Sequence, residues 1–243
     1  MTDSSEKYFI GKTFVNIKTQ NELFEQIKLS LQRKEKKIFF YLNSYSFYLV
    51  YHNEEFKSAF NSADFILIDG MSIVYLLKRN KYNNIEKVTF NHTFFKYLLS
   101  YFQEKKTRIY FLGSKEQNVI KAQENLIEKG LNICGVQHGY FNMKDSKKII
   151  EEINKLTPDI LLVGMGMPKS EKWLIENKDK FGDYNIITVG NLIDIFAGET
   201  SLAPTILFNS PFEWIYRLIR EPCKLTPRYI RSNLFILDLL FRK

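Results

Sequence analysis

Residues 160–173 read ILLVGMGMPKSEKW, and the parsing of that run decides the fold. Ile160 to Val163 is short and apolar at every position, Gly164 and Gly166 interrupt it, and Pro168 with Lys169-Ser170-Glu171 opens a charged segment of helical character. A strand with no polar face belongs in a sheet covered on both sides, whereas alternation would mark one wet face. Two glycines after a strand suggest a dinucleotide turn, but that fingerprint needs a third glycine three residues after the second. Lys169 occupies that position, and the run lacks the Gly-Lys-Ser/Thr ending of a P-loop. What remains is a strand-to-helix corner that can serve as a ligand platform. Pro168 suits the first turn of a helix, and Glu171 complements the positive end of its dipole. The backbone N–H groups there can hold a phosphate or a sugar hydroxyl.

The same grammar repeats outward from this corner. Lys37 to Leu42, Phe65 to Ile68, Arg108 to Leu112, Asn132 to Val136 and Asn185 to Val189 are further short apolar runs. Amphipathic stretches follow them, from Asn43-Ser44 through Val50, from Gly70 through Leu77 and from Ser114 through Leu126. Strands alternating with helices predict an α/β protein with a Rossmann-like parallel sheet and helices on both faces. Ligands of such sheets bind at the carboxyl ends of the strands, where the strand order reverses. Those ends carry Asn43, Asp69-Gly70, Gly113-Ser114, His138-Gly139, Gly164 to Glu171 and Gly190-Asn191. A single glycine there means only a tight turn; six such ends predict a site, provided the topology gathers them.

Composition sets the bounds. The 243 residues fit one α/β domain with a small appendage, and 45% hydrophobic with 26% charged residues is ordinary for a globular chain. A formal net charge of +8 suggests an anionic partner: nucleic acid, a phosphorylated ligand or an acidic membrane surface. Cys134 and Cys223 are the only cysteines, far apart, which points to a reducing compartment and no zinc site. The first residues are polar and acidic, unlike a signal peptide. No apolar run approaches the ~20 residues of a membrane span. A cytoplasmic protein is expected, with room for attachment to a membrane surface.

After Ala203-Pro204 the character changes. From Pro211 onward, Arg217, Arg220, Lys224, Arg228, Arg231, Arg242 and Lys243 outnumber Glu213, Glu221 and Asp238. Aromatic and aliphatic residues such as Phe212, Trp214, Tyr229, Phe235 and Phe241 are interleaved with them. Two readings stand: cationic amphipathic helices lying on an anionic membrane, or a helical pair packed on the core with solvated arginines.

Pro158 to Trp173 resembles the PDxLxVGxGxPxQExW block of the WecG/TagA/CpsF glycosyltransferases. Further blocks follow in family order: Leu42-Asn43-Ser44, Ala63 to Val74 (ADxxxxDGxGxV), Tyr110 to Ser114, His138 to Phe141, Val189 to Gly198 (VGxxFDxxAG), and Glu213 to Leu218 with Glu221-Pro222 (LEWxxRLxxEP). The resemblance implies an inverting, metal-independent hexosyltransferase of bacterial cell-surface polysaccharide synthesis. Its donor would be a UDP-sugar carrying N-acetylmannosamine or another hexose, and its acceptor a polyprenyl-diphosphate-linked sugar. Residues 1–204 would form the catalytic α/β domain. Residues 205–243 would form a helical appendage that docks on the anionic inner face of the cell membrane and completes the active site.

Asp69 matches the family's base, with a helix N-cap before Met71 as its structural alternative. Asn43 can hydrogen-bond the sugar or diphosphate, or cap a helix. Arg217 and Arg228 would stabilise the departing diphosphate. Gly70, Gly113, Ser114, His138, Gly164, Gly166, Pro168, Glu171 and Gly190 would line the donor, Ser114 through its backbone N–H. Ordinary turn roles are the alternative for His138 and for Gly113-Ser114, and dipole complementation the alternative for Glu171. Asp194 reads as structural, orienting backbone N–H groups. No D-x-D pair occurs, in keeping with cationic side chains in place of a divalent ion on the diphosphate. No cofactor is implied beyond the donor.

The sequence departs from the family blocks at several positions. Tyr41 replaces a threonine, Lys87, Phe90 and His92 replace arginine, glycine and aspartate, Ser170 replaces a glutamine, and Pro227 and Lys224 replace arginines. These changes predict an altered donor or acceptor; a member that binds without transfer is the rival reading. No nucleic-acid-binding module appears, and the basic residues concentrate in the tail. The 21 Phe and 14 Tyr leave room for self-association.

Overall fold

The computed structural model describes residues 6–88, 92–201, 203, 204, 207, 210 and 213–241. Phe90, Pro211, Phe212, Arg242 and Lys243, named above, lie outside the described residues, as do the side chains of His92 and Lys224. The elements are β1 (Tyr8–Ile10), β2 (Thr13–Val15), α1 (Gln20–Arg33), β3 (Ile38–Leu42), α2 (Ser44–His52), α3 (Glu54–Asn61), β4 (Phe65–Ile68), α4 (Met71–Arg79) and α5 (His92–Glu104). They continue with β5 (Arg108–Gly113), α6 (Glu116–Ile127), β6 (Asn132–Gln137), α7 (Ser146–Leu156), β7 (Ile160–Gly164), α8 (Lys169–Glu176), β8 (Asn185–Thr188) and α9 (Leu192–Phe196). Two helices close the chain, α10 (Glu213–Arg220) and α11 (Pro222–Phe241). The six apolar runs are the six strands of one parallel sheet, in the order β4-β3-β8-β7-β5-β6.

The chain divides into two compact units, Met1–Leu23 with Phe40–Asn91 and Leu202–Lys243, and Phe24–Phe39 with His92–Ser201. In the second unit, β7 pairs with β5 from Ile109↔Ile160 to Gly113↔Gly164 and with β8 from Ile160↔Asn185 to Val163↔Thr188. The apolar residues Ile160 to Val163 are all but fully buried, as their lack of a polar face requires. On α7, Ile149, Ile150 and Ile153 recur at helical spacing and are buried. The register of β5 against β6 slips between Ile109 and Tyr110, which leaves Cys134 as the extra residue of a bulge.

In the first unit, β1 and β2 form an antiparallel hairpin, and Gly11-Lys12-Thr13 runs from its turn into β2. That triplet has the last three letters of a P-loop, but Glu6 stands where the motif's first glycine would be, and no strand-to-helix corner follows. Helix α2 is the platform for α11. The Phe235 ring lies 5.0 Å from Tyr51, 5.1 Å from His52, 5.8 Å from Tyr48 and 6.0 Å from Phe47. The fully buried Ser232 brings its Oγ within 3.4 Å of Ser44 Oγ, so a small residue allows the close approach. The Arg79 guanidinium donates to the carbonyls of Leu239 (3.1 Å) and Leu240, which the helix itself leaves unpaired. The opposite face of α11 exposes Ile230, Leu234, Leu237 and Phe241, spaced as one stripe.

Candidate functional site

The first unit gathers Asn43, Asp69, Arg217 and Arg228. Asp69 follows β4 directly, and its N–H donates to the Leu42 carbonyl at 2.8 Å, which fixes it beside the end of β3. Its side chain is half-buried. The N-cap of α4 is Gly70, at φ +125°, so the capping alternative for Asp69 falls away. Asn43 performs the cap itself: its Oδ1 accepts from the N–H groups of Tyr45 and Ser46 at 3.0 Å each. Ser46 Oγ returns the favour by accepting the Asn43 N–H at 2.8 Å, closing a capping box. With its oxygen thus fixed, Asn43 Nδ2 points to Asp69 Oδ2 at 3.4 Å. Cap and site contact are one residue's two ends.

Arg217 and Arg228 approach from α10 and α11. Arg217 Nη2 meets Glu213 Oε1 at 3.0 Å, and Glu213 Oε2 also accepts from Lys87 Nζ. Burial works against the Arg217 charge, but Glu213, Asp69 and Tyr229 outweigh it and raise its pKa. The Tyr229 phenol is pushed up by burial, against the lowering pull of Arg217 and Arg228. The Arg228 guanidinium lies 4.3 Å from the centre of the Tyr45 ring, a cation–π seat on the first turn of α2. Tyr41, on β3, is held far above its ordinary pKa by burial and then by the charge of Asp69. The carboxylate of Asp69 therefore sits in the field of Arg217, with the phenols of Tyr229 and Tyr41 beside it.

The second unit gathers the glycine corners. The connection leaving β5 runs to β6 on one side, and that leaving β7 runs to β8 on the other, so the β5–β7 boundary is a topological switch point. Gly113 and Gly164 face each other there. A Cβ on Gly113 would lie 2.5 Å from the Gly164 carbonyl carbon and oxygen, and one on Gly164 would lie 2.9 Å from the Gly190 carbonyl oxygen. Only backbone fits between these three corners. Gly166 and Gly190 differ: a Cβ on either would meet nothing within 4 Å.

Several assignments change in detail. The Ser114 N–H donates to the Gly164 carbonyl at 3.2 Å, and its hydroxyl to Asp194, so Ser114 ties corners together rather than presenting a free amide. Asp194 also accepts from Asn118 Nδ2 at 2.8 Å, so its carboxylate orients two side chains and not backbone N–H groups. His138 Nδ1 accepts the Tyr140 N–H at 3.2 Å, the turn role. Pro168 is the N-cap of α8, one residue before the first turn. Glu171 is buried, only 3% exposed, on the packed side of α8 rather than its open one. Ser170 Oγ accepts the Met165 N–H at 3.1 Å and braces the corner from inside.

The sequence profile of the Glycosyl transferase WecG/TagA/CpsF family matches residues 8–243. The chain belongs to this family. Similar proteins include the N-acetylglucosaminyldiphosphoundecaprenol N-acetyl-beta-D-mannosaminyltransferases of two bacilli and a staphylococcus. The Bacillus spizizenii protein is 27% identical over 189 residues, covering 75% of this chain and 72% of its own. The Bacillus subtilis protein is 30% identical over 173 residues, covering 70% and 66%. The Staphylococcus aureus protein is 28% identical over 173 residues, with the same coverage of 70% and 66%.

The WecG/TagA/CpsF blocks acquire two kinds of content in this chain. In the longest block, Asp159 accepts the Arg108 N–H at 2.7 Å and Trp173 donates to Ser146 Oγ at 2.8 Å while remaining buried. Both ends are structural. Among the departures, Tyr41 is core and Ser170 is a brace, whereas Lys87 is an ion-pair partner of Glu213 on α10. Glu213 is the functional candidate that sequence reasoning missed. Its only signal was the glutamate that opens the LEWxxRLxxEP block.

Proposed function

We propose that this chain is an inverting hexosyltransferase that moves a sugar, N-acetylmannosamine or another hexose, from a UDP-sugar to a polyprenyl-diphosphate-linked sugar. The observation that carries the reading is Asp69: half-buried at a strand end, free of the capping role, oriented by Asn43 and faced by Arg217. The acceptor hydroxyl would lose its proton to Asp69 as its oxygen attacks the sugar's anomeric carbon. The bond from that carbon to the diphosphate breaks, and the departing UDP takes the electron pair. Arg217 and Arg228 supply positive charge for the leaving group in place of a divalent ion. The acceptor assignment follows the names of the relatives.

The acceptor's lipid implies work at the inner face of the cell membrane. No described helix is long and apolar enough to cross a bilayer. The exposed stripe Ile230, Leu234, Leu237 and Phe241, with Ile219 from α10 and the exposed Arg220 and Arg231, supports α10 and α11 as the part that lies on an anionic surface.

Purified protein with a panel of UDP-sugars and a lipid-diphosphate-sugar acceptor should release UDP with a chelator present. Asp69→Asn should lower that rate by about 10²–10⁴-fold while UDP still binds. Undiminished turnover would remove Asp69 as the base. Binding of UDP with no donor consumed would support the rival reading, a member that binds without transfer.

A further inference from the structure

Glu213 occupies an unusual position between two cations. Its Oε1 meets Arg217 Nη2 at 3.0 Å, and its Oε2 meets Lys87 Nζ. Glu213 and Arg217 are four residues apart on α10, a spacing that by itself yields a weak pair with mobile side chains. Lys87 changes that. Its side chain is 5% exposed, and a buried ammonium is strongly disfavoured unless a carboxylate compensates it. The backbone that presents it is fixed on both sides. The Val88 N–H donates to the Ile68 carbonyl at 2.7 Å and the Glu86 N–H to the Lys18 carbonyl at 3.1 Å. Glu86 Oε1 in turn accepts the Gln20 N–H at 2.6 Å. Lys87 is thus a rigid post beside the end of β4, and the carboxylate it grips cannot rotate without exposing a buried charge.

Arg217 has a competing attraction. Its side chain is 38% exposed, within the field of Asp69, yet among the described residues its ion pair is with Glu213. Released from Glu213, the guanidinium would collapse onto Asp69, quenching the base and withdrawing the cation from the leaving group. We propose that Glu213 is a positioning residue for the transfer step, holding Arg217 off Asp69 and towards the departing diphosphate, and that Lys87 is the post that holds Glu213. This inference rests on the reading of Asp69 as base and Arg217 as the diphosphate's partner.

The test is the full chain's UDP release, with kcat and donor KM determined separately and unfolding temperature measured in parallel. Glu213→Gln should lower kcat roughly 10- to 100-fold, with donor KM little changed. Glu213→Gln leaves Lys87 buried without its carboxylate and should unfold at lower temperature. Adding Lys87→Met should recover the unfolding temperature while leaving kcat low and the donor KM unchanged. Recovery of kcat together with stability in the double variant would show a merely structural tie and overturn the inference. Unchanged kcat in Glu213→Gln would do the same. A wild-type chain that consumes no donor overturns both this inference and the reading beneath it, whereas an active wild type with an unaffected Glu213→Gln overturns the inference alone.

Discussion

Replacing Gly113 by alanine tests whether the strand-end corners are packed backbone to backbone. The residue sits at φ +153°, and the added Cβ would lie 2.5 Å from the Gly164 carbonyl carbon and oxygen and 2.7 Å from its Cα. Those atoms belong to a paired strand, so no flexible side chain can yield. Backbone strain in a region that favours glycine costs about 1–3 kcal/mol, and overpacking a tight contact a further ~1–3 kcal/mol. At ~3 °C per kcal/mol for a chain of this length, a combined loss of about 2–6 kcal/mol lowers the melting temperature by about 6–18 °C. Gly166→Ala is the internal control: it also has positive φ, +87°, but nothing lies within 4 Å of its added Cβ. Strain alone should cost it about 1–2 kcal/mol. Thermal unfolding followed by circular dichroism gives both numbers. Equal shifts for the two variants would refute the packing argument, and a Gly113→Ala chain within 2 °C of wild type would refute it outright.

Two further outcomes are expected. Tyr110 is 4% exposed, and burial, followed by Glu152 and Cys134, pushes its phenol up to about 12. A phenol whose folded pKa lies above its unfolded value of about 10 keeps its proton in the fold, so its contribution is intact below about pH 10 and lost as pH rises towards 12. Tyr110→Phe should flatten that alkaline loss in denaturant midpoints; an identical slope would sink the assignment. On α11, replacing Ile230, Leu234 and Leu237, which are 54%, 61% and 48% exposed, by serine should abolish co-sedimentation with anionic vesicles. Their exposure predicts little change in unfolding temperature, and equal pelleting would count against the membrane-facing stripe.

The sheet was legible because its signal is local. A buried parallel strand needs four to six consecutive apolar residues, and Phe65 to Ile68 or Ile160 to Val163 satisfies that with no contribution from elsewhere in the chain. The strand ends were legible for the same reason, since glycine marks corners where backbone meets backbone. The hairpin of β1 and β2 escaped notice because three-residue strands are too short for periodicity to register. Strand order is different in kind. That Gly113 faces Gly164 across a switch point depends on pairings between residues 51 positions apart, which no local pattern encodes.

Partners of the polar residues were hidden by that same nonlocality, and here it has a consequence for function. Asp194, Ser114, Ser170 and Asp159 all sit in family blocks, and each spends its polar atoms holding a neighbouring corner. A block is therefore mostly the scaffold of a site. Asp69 stands apart because its capping alternative is taken by Gly70, and Arg217 because its partner Glu213 is itself held by a buried lysine from a different part of the chain. The exchange of arginine for Lys87 illustrates the difference. Judged on sequence, it is one of the changes that predict an altered donor or acceptor. With its ammonium buried against Glu213, it instead ties α10 to the segment that follows β4.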